Sequence, residues 1–295
     1  MTTKLHGTFT AMVTPFSADG TMVDYESLAA LIEFQIAEKV DGIVVCGTTG
    51  EAATLSDEEY EKVVHFTCSR VRGRIPVVGG VASSSTARAV NMAQVIERAG
   101  VDIVMVVAPP YNKPPQDGIA AHIREVKRHI SKPIIAYNVP GRTGVNILPK
   151  TMANLADDGT IVAIKEACGS MDQILDLFAL VGTRAQIFSG DDALTLSVMD
   201  AGGVGVISVL SNVEPARVNA ITHNALAGRW DDARRAQLAA LPLCRAMFIE
   251  SNPIPVKTAL AIKGIIKHST LRLPLIAAEA STVEKLKNCI ASARN

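Results

Sequence analysis

Eight short apolar, β-rich runs, each followed by a longer amphipathic segment, constrain this chain more than any other feature. The runs lie at 8–13, 42–46, 76–79, 103–107, 133–137, 161–165, 186–189 and 205–208. The helix-period segments lie at 24–39, 57–71, 85–99, 116–129, 148–156, 171–181, 191–201 and 215–227. Such alternation is the pattern of repeated βα units around a parallel sheet, an α/β architecture. Several helical segments open with a capping residue and an acidic first turn, as in Ser56-Asp57-Glu58-Glu59, where carboxylates meet the positive end of the helix. Eight units fit a (β/α)8 TIM barrel, a fold of roughly 250 residues. The pattern predicts a barrel domain over 1–228 and a C-terminal helical region over 229–295, punctuated by Asn252-Pro253-Ile254-Pro255 and Leu273-Pro274. An open doubly wound sheet would need a glycine-rich phosphate turn after its first strand; here that strand runs into Thr14-Pro15-Phe16.

Composition removes other classes. Lys plus Arg number 29 against 29 Asp plus Glu, so there is no basic footprint for nucleic acid or an anionic membrane. At 48% hydrophobic, the chain is too apolar to stay disordered. Apolar stretches such as 101–110 end at prolines, short of the roughly 18 residues a span needs. The first residues carry no apolar signal core, so a cytoplasmic location is expected. Five cysteines in no CxxC spacing read as reduced thiols. Cys46 and Cys168 fall near the expected site but read as small core thiols. His122 and His129 could share a helix face, yet the IREVKR between them reads as solvated surface. No metal site is expected.

In a barrel of this kind the active site lies at the C-terminal ends of the strands. Period-two alternation along 161–165 puts Lys165 on the inward face with Ile161 and Ala163, and Val162 and Ile164 toward the helices. A lysine drawn into an apolar mouth loses hydration, which favours the neutral amine that attacks a carbonyl. The competing reading is a structural ion pair with Glu166 or another carboxylate. The same alternation turns Tyr137 inward on the preceding strand, level with Lys165, where a phenol could relay protons or simply fill the core. Gly47-Thr48-Thr49-Gly50-Glu51 follows the second strand and could converge backbone N–H groups on a carboxylate, or be an ordinary tight turn. Val139-Pro140-Gly141-Arg142-Thr143-Gly144 presents Arg142 over the mouth, in position to hold a carboxylate bidentately or to sit there as a loop arginine. Ser189-Gly190-Asp191-Asp192 reads as a helix cap that also faces the mouth.

These residues, with Tyr111-Asn112-Lys113-Pro114, Lys165-Glu166-Ala167 and Asn252-Pro253-Ile254-Pro255-Val256-Lys257, closely resemble the pyruvate-dependent Schiff-base aldolase and lyase superfamily, and within it the dihydrodipicolinate synthase family. The resemblance spans nearly the whole chain. It implies an imine between Lys165 and pyruvate, no separate cofactor and no metal, and an enamine that attacks L-aspartate 4-semialdehyde in lysine and diaminopimelate biosynthesis. By the same resemblance Tyr137, Thr48 and Tyr111 form a proton relay, with Tyr111 reaching in from a neighbouring subunit. Thr49 and Thr48 hold the pyruvate carboxylate, Arg142 holds the semialdehyde carboxylate, and Gly190 and Ile207 give backbone contacts. A homo-oligomer built as a dimer of dimers is implied. Sialic-acid lyases and sugar-acid aldolases of the superfamily usually lack an arginine in the Arg142 loop, and the former carry serine where Thr48 stands. Lysine-inhibited relatives hold the inhibitor at positions matching Asp57, Tyr60, Ser84, Arg88 and Pro110. Arg88 is a cation where those relatives keep a carboxylate, so weak or absent lysine feedback is expected.

Overall fold

The computed structural model describes residues 5–292; residues 1–4 and 293–295, the outer ends of the two expected regions, lie outside the described residues. Its centre is a closed barrel of eight strands in sequence order. They are β1 (Gly7–Ala11), β2 (Gly42–Val45), β3 (Val77–Val81), β4 (Ile103–Val107), β5 (Ile134–Asn138), β6 (Ala163–Glu166), β7 (Gln186–Ser189) and β8 (Gly205–Ser208). All neighbours run parallel, and β8 closes on β1 with Ile207 opposite Phe9. This is the TIM-barrel fold.

Strand alternation divides the core in two. Phe9, Val44, Val78, Met105, Ile135, Ala163, Phe188 and Ile207 fill the interior, with Phe9 and Phe188 meeting edge to face at 5.3 Å. Ile43, Val104, Val106, Ile134, Ile164, Ile187 and Val206 point outward and pack under the helices. Each buried aliphatic side chain contributes about 1.5–3 kcal/mol relative to exposure, so this patterning sets the strand faces. Helix limits follow local chemistry. Asp57–Val71 starts at a capping box in which Ser56 accepts from Glu59 N and Glu59 accepts from Ser56 N, and Thr86–Ala99 stops at Gly100, φ 101°.

Three expectations are corrected. The helix expected at 191–201 is a short 3-10 turn, Asp192–Leu194, followed by the helix Thr195–Asp200. Asp191 caps Ala193 N, while the buried Asp192 carboxylate accepts from Ser208 Oγ and the amides of Val209 and Leu210, so this segment is bound to β8 instead of continuing a helical ladder. At β6 the strand begins at Ala163, so the alternation does not extend backward: Ile161 lies in the outer core and Val162 against the inner one. His122 is buried, with Nδ1 3.0 Å from Thr86 Oγ1, and is not part of a solvated face.

Past the barrel come the helices Trp230–Ala246, Ile254–Ile262 and Ala280–Ser292. Gln237 ties the first of them to the strand ends, donating to Asp192 O and accepting from Leu196 N. Among the described residues no helix is long and apolar enough to cross a membrane.

Candidate active site

β6 delivers Lys165 into the barrel directly beside Tyr137 of β5, its register partner, and Phe188 of β7. Lys165 is 6% exposed, and its Nζ lies 4.1 Å from the centre of the Tyr137 ring, close enough for attraction between cation and ring face. An ion pair with Glu166 does not form, since consecutive strand residues face opposite ways. Glu166 instead accepts from Asn138 Nδ2 at 2.9 Å and from Cys168 N at 2.8 Å. Burial pushes its carboxyl up to about 7 against the pull of those donors. Cys46 is a buried thiol as expected, whereas Cys168 is half-buried in the bend after β6.

A cavity of about 300 Å³ opens over these strand ends, and Gly47, Thr48, Tyr137, Arg142, Asn252 and Pro274 are among the residues lining it. On its β2 side the turn closes on itself: Gly50 N donates to Gly47 O and Glu51 N to Thr48 O, both at 3.1 Å. The amides of Thr48 and Thr49 make no hydrogen bond among the described residues, and paired free N–H groups of this kind are a seat for an anion. Cys46 and Glu51 flank the turn, each at φ 53°, a left-handed conformation unusual for side-chain-bearing residues. Thr49 is buried below the exposed Thr48.

The β5 loop contains a short helix, Pro140–Thr143, absent from the pattern expected of the sequence. It carries Arg142 to the cavity wall, where Nη2 donates to Asn252 O at 3.1 Å. Asn138 Oδ1 accepts from Ile147 N at 2.9 Å and closes this loop from below. Gly190 N donates to Glu166 O at 2.7 Å, and a Cβ there would sit 2.7 Å from the Ala167 Cβ, so only glycine lets the two strand ends approach. Ile207 is buried in the inner core. Tyr111, expected at the site, does not line the cavity of its own chain. It is 90% exposed at φ 74°, and its backbone N donates to Thr143 O at 3.0 Å.

The comparisons with known proteins decide the family. Residues 4–293 match the model of the dihydrodipicolinate synthetase family. The chain belongs to that family. It is 47% identical over 281 residues, 95% of this chain and 96% of the other, to the 4-hydroxy-tetrahydrodipicolinate synthase of Syntrophus aciditrophicus. It is 43% identical over 285 residues, 96% of this chain and 95% of the other, to that of a Thermoanaerobacter species. The crystal structure of dihydrodipicolinate synthase from Thermotoga maritima superposes with a TM-score of 0.95 at 40% identity, covering 98% of each chain.

In this dihydrodipicolinate synthetase family member, sequence reasoning missed a cluster beneath the cavity. Lys257 Nζ donates to Glu51 Oε1 at 2.6 Å with both side chains essentially fully buried. The Phe16 ring lies 4.2 Å from Lys257 Nζ and 4.3 Å from Arg272 Cζ, and Arg272 also pairs with Glu59 at 2.6 Å. The available signal was a lysine set in the otherwise apolar run Ile254, Pro255, Val256, Ala259, Leu260, all buried. A charge placed there needs a buried partner. Among the described residues, no group of three or more His, Cys, Asp or Glu side chains could hold a metal ion.

Proposed function

We propose that this protein is a lyase, a 4-hydroxy-tetrahydrodipicolinate synthase that joins pyruvate to L-aspartate 4-semialdehyde in lysine and diaminopimelate biosynthesis. The observation that carries this reading is the buried Lys165 amine over the Tyr137 ring, beneath a cavity walled by the Thr48 turn and Arg142. Lys165 Nζ attacks the keto carbon of pyruvate, and loss of water leaves an imine. Loss of a methyl proton gives the enamine, whose carbon attacks the aldehyde. The amino group of the new chain then attacks the imine carbon, closing the ring and releasing Lys165. Tyr137 and Thr48 relay protons. The free amides of Thr48 and Thr49 hold the pyruvate carboxylate, and Arg142 holds that of the semialdehyde. The imine is formed on the chain's own lysine, so no separate cofactor or metal enters the reaction.

Tyr111 completes the relay from a second copy of the chain, within a homo-oligomer arranged as a dimer of dimers. Gly190, just past β7, and Ile207 of β8 supply backbone contacts. The barrel over 1–228 carries the chemistry and the region 229–295 braces it, in the cytoplasm. Arg88, paired with Asp57 at 2.9 Å, keeps a cation where a lysine inhibitor would place its own, so inhibition by lysine is weak or absent.

Steady-state turnover with pyruvate and a panel of aldehydes tests the substrate assignment. L-aspartate 4-semialdehyde is the preferred partner, and Arg142→Ala raises its KM by roughly 10- to 100-fold, the value of a charge-assisted hydrogen bond. Turnover with sugar-derived aldehydes and none with the semialdehyde would assign the chain to another aldolase activity of the superfamily.

A further inference from the structure

The Asn252–Lys257 stretch grips the Thr48–Thr49 turn at two points and the arginine loop at a third. Asn252 makes two of these contacts. Its Nδ2 donates to Thr49 Oγ1 at 2.9 Å, and its main-chain oxygen accepts from Arg142 at 3.1 Å. Lys257 makes the other, through Glu51 at the end of the turn. Asn252 is 5% exposed, and its Oδ1 is buried without a hydrogen-bond partner. An asparagine kept for architecture alone would satisfy both ends of its amide; among the described residues, this one makes its single side-chain hydrogen bond to Thr49. The direction of that bond matters. A hydroxyl oxygen that accepts from an amide keeps its own proton free to donate elsewhere, and Thr49 belongs to the turn whose Thr48 and Thr49 amides make no hydrogen bond among the described residues.

We propose that Asn252 is a positioning residue that holds the Thr49 hydroxyl as a donor to the keto-acid carboxylate while its backbone seats Arg142 across the same cavity. The inference rests on the imine reading of Lys165 given above. One residue thereby sets the spacing between the two carboxylate sites, and the first substrate's seat depends on its side chain while the second's depends on its main chain.

The test is trapping of the pyruvate imine with borohydride across a pyruvate titration, without the aldehyde, so that only the first half-reaction is read. Asn252→Ala raises the half-saturating pyruvate concentration on the order of tenfold, the cost of about one hydrogen bond to a charged group. Asn252→Asp raises it further, because a carboxylate would take the Thr49 proton and repel the substrate's own charge; a merely architectural residue would instead be rescued by this near-isostere. Thr49→Val gives a rise like that of Asn252→Ala, and adding Asn252→Ala to it gives no more, as expected of two residues acting through one contact. Should Asn252→Ala fail to fold, the Thr49→Val and Asn252→Asp titrations carry the test alone. An imine on native protein with native-like half-saturation in Asn252→Asp, or additive effects in the double variant, overturns the inference. No imine on native protein removes the reading on which it rests, and the inference with it.

Discussion

Lys165 and Glu166 are adjacent in the chain and opposite in circumstance. Lys165 faces the barrel interior over Tyr137, whereas Glu166 faces outward into a polar chain in which Asn138 donates to it and to Asn146 Oδ1, and Asn146 donates to Gln173 at 2.7 Å. Burial raises the Glu166 carboxyl to about 7. A raised carboxyl binds its proton more tightly folded than unfolded, so the stability it contributes is present at acid pH, below its unfolded range, and is lost as pH rises through about 7. Across that window the loss amounts to about 3 kcal/mol. Urea midpoints measured from pH 5 to 8 should show native protein losing stability relative to Glu166→Gln as pH rises; parallel curves would contradict this. At this scale, Lys165 and Tyr137 were legible in the sequence because period-two alternation and parallel register follow from strand geometry. The role of Glu166 was not, because its partner Asn138 sits 28 positions away and proximity in the chain suggested Lys165 instead.

Elements differ in how far the sequence exposes them. The strands and most helices were legible from periodicity, and three strands, 103–107, 186–189 and 205–208, match the expected limits residue for residue. The segment after β7 was not, because Asp192 trades helical continuation for one bond to Ser208 at the end of β8 and two to the amides of Val209 and Leu210 just past it. The helix Ile254–Ile262 was expected only as part of a C-terminal extension, yet it supplies Lys257 to Glu51, 206 positions earlier. Burial pulls Lys257 down to about 8, with the Glu51 charge working against it. Lys257→Met strands a buried carboxylate beneath the turn and should cost about 3–5 kcal/mol in urea denaturation, while the pair Glu51→Gln with Lys257→Met should recover most of that loss. A double variant no more stable than Lys257→Met alone would show that the pair does not act as a unit.

For the whole molecule, eight βα units dictated the closed barrel, and the barrel dictated which strand ends could meet. One chain nevertheless leaves Tyr111 outside the lining of its own cavity, at 90% exposure. If a second copy receives it, Tyr111→Phe and Lys165→Ala subunits are each nearly inactive alone and complement when mixed. A mixed dimer has one intact site, so random exchange restores roughly a quarter of native sites. No recovery after verified subunit exchange would place the full relay within one chain. The proposed reaction depends on one bond, between Lys165 and the keto carbon of pyruvate. Intact mass and peptide mapping after borohydride reduction, with and without pyruvate, test it most directly. A single pyruvate-derived adduct on Lys165, absent without pyruvate and lost in Lys165→Arg, is the predicted result; no adduct on folded protein, or an adduct on another lysine, would contradict it.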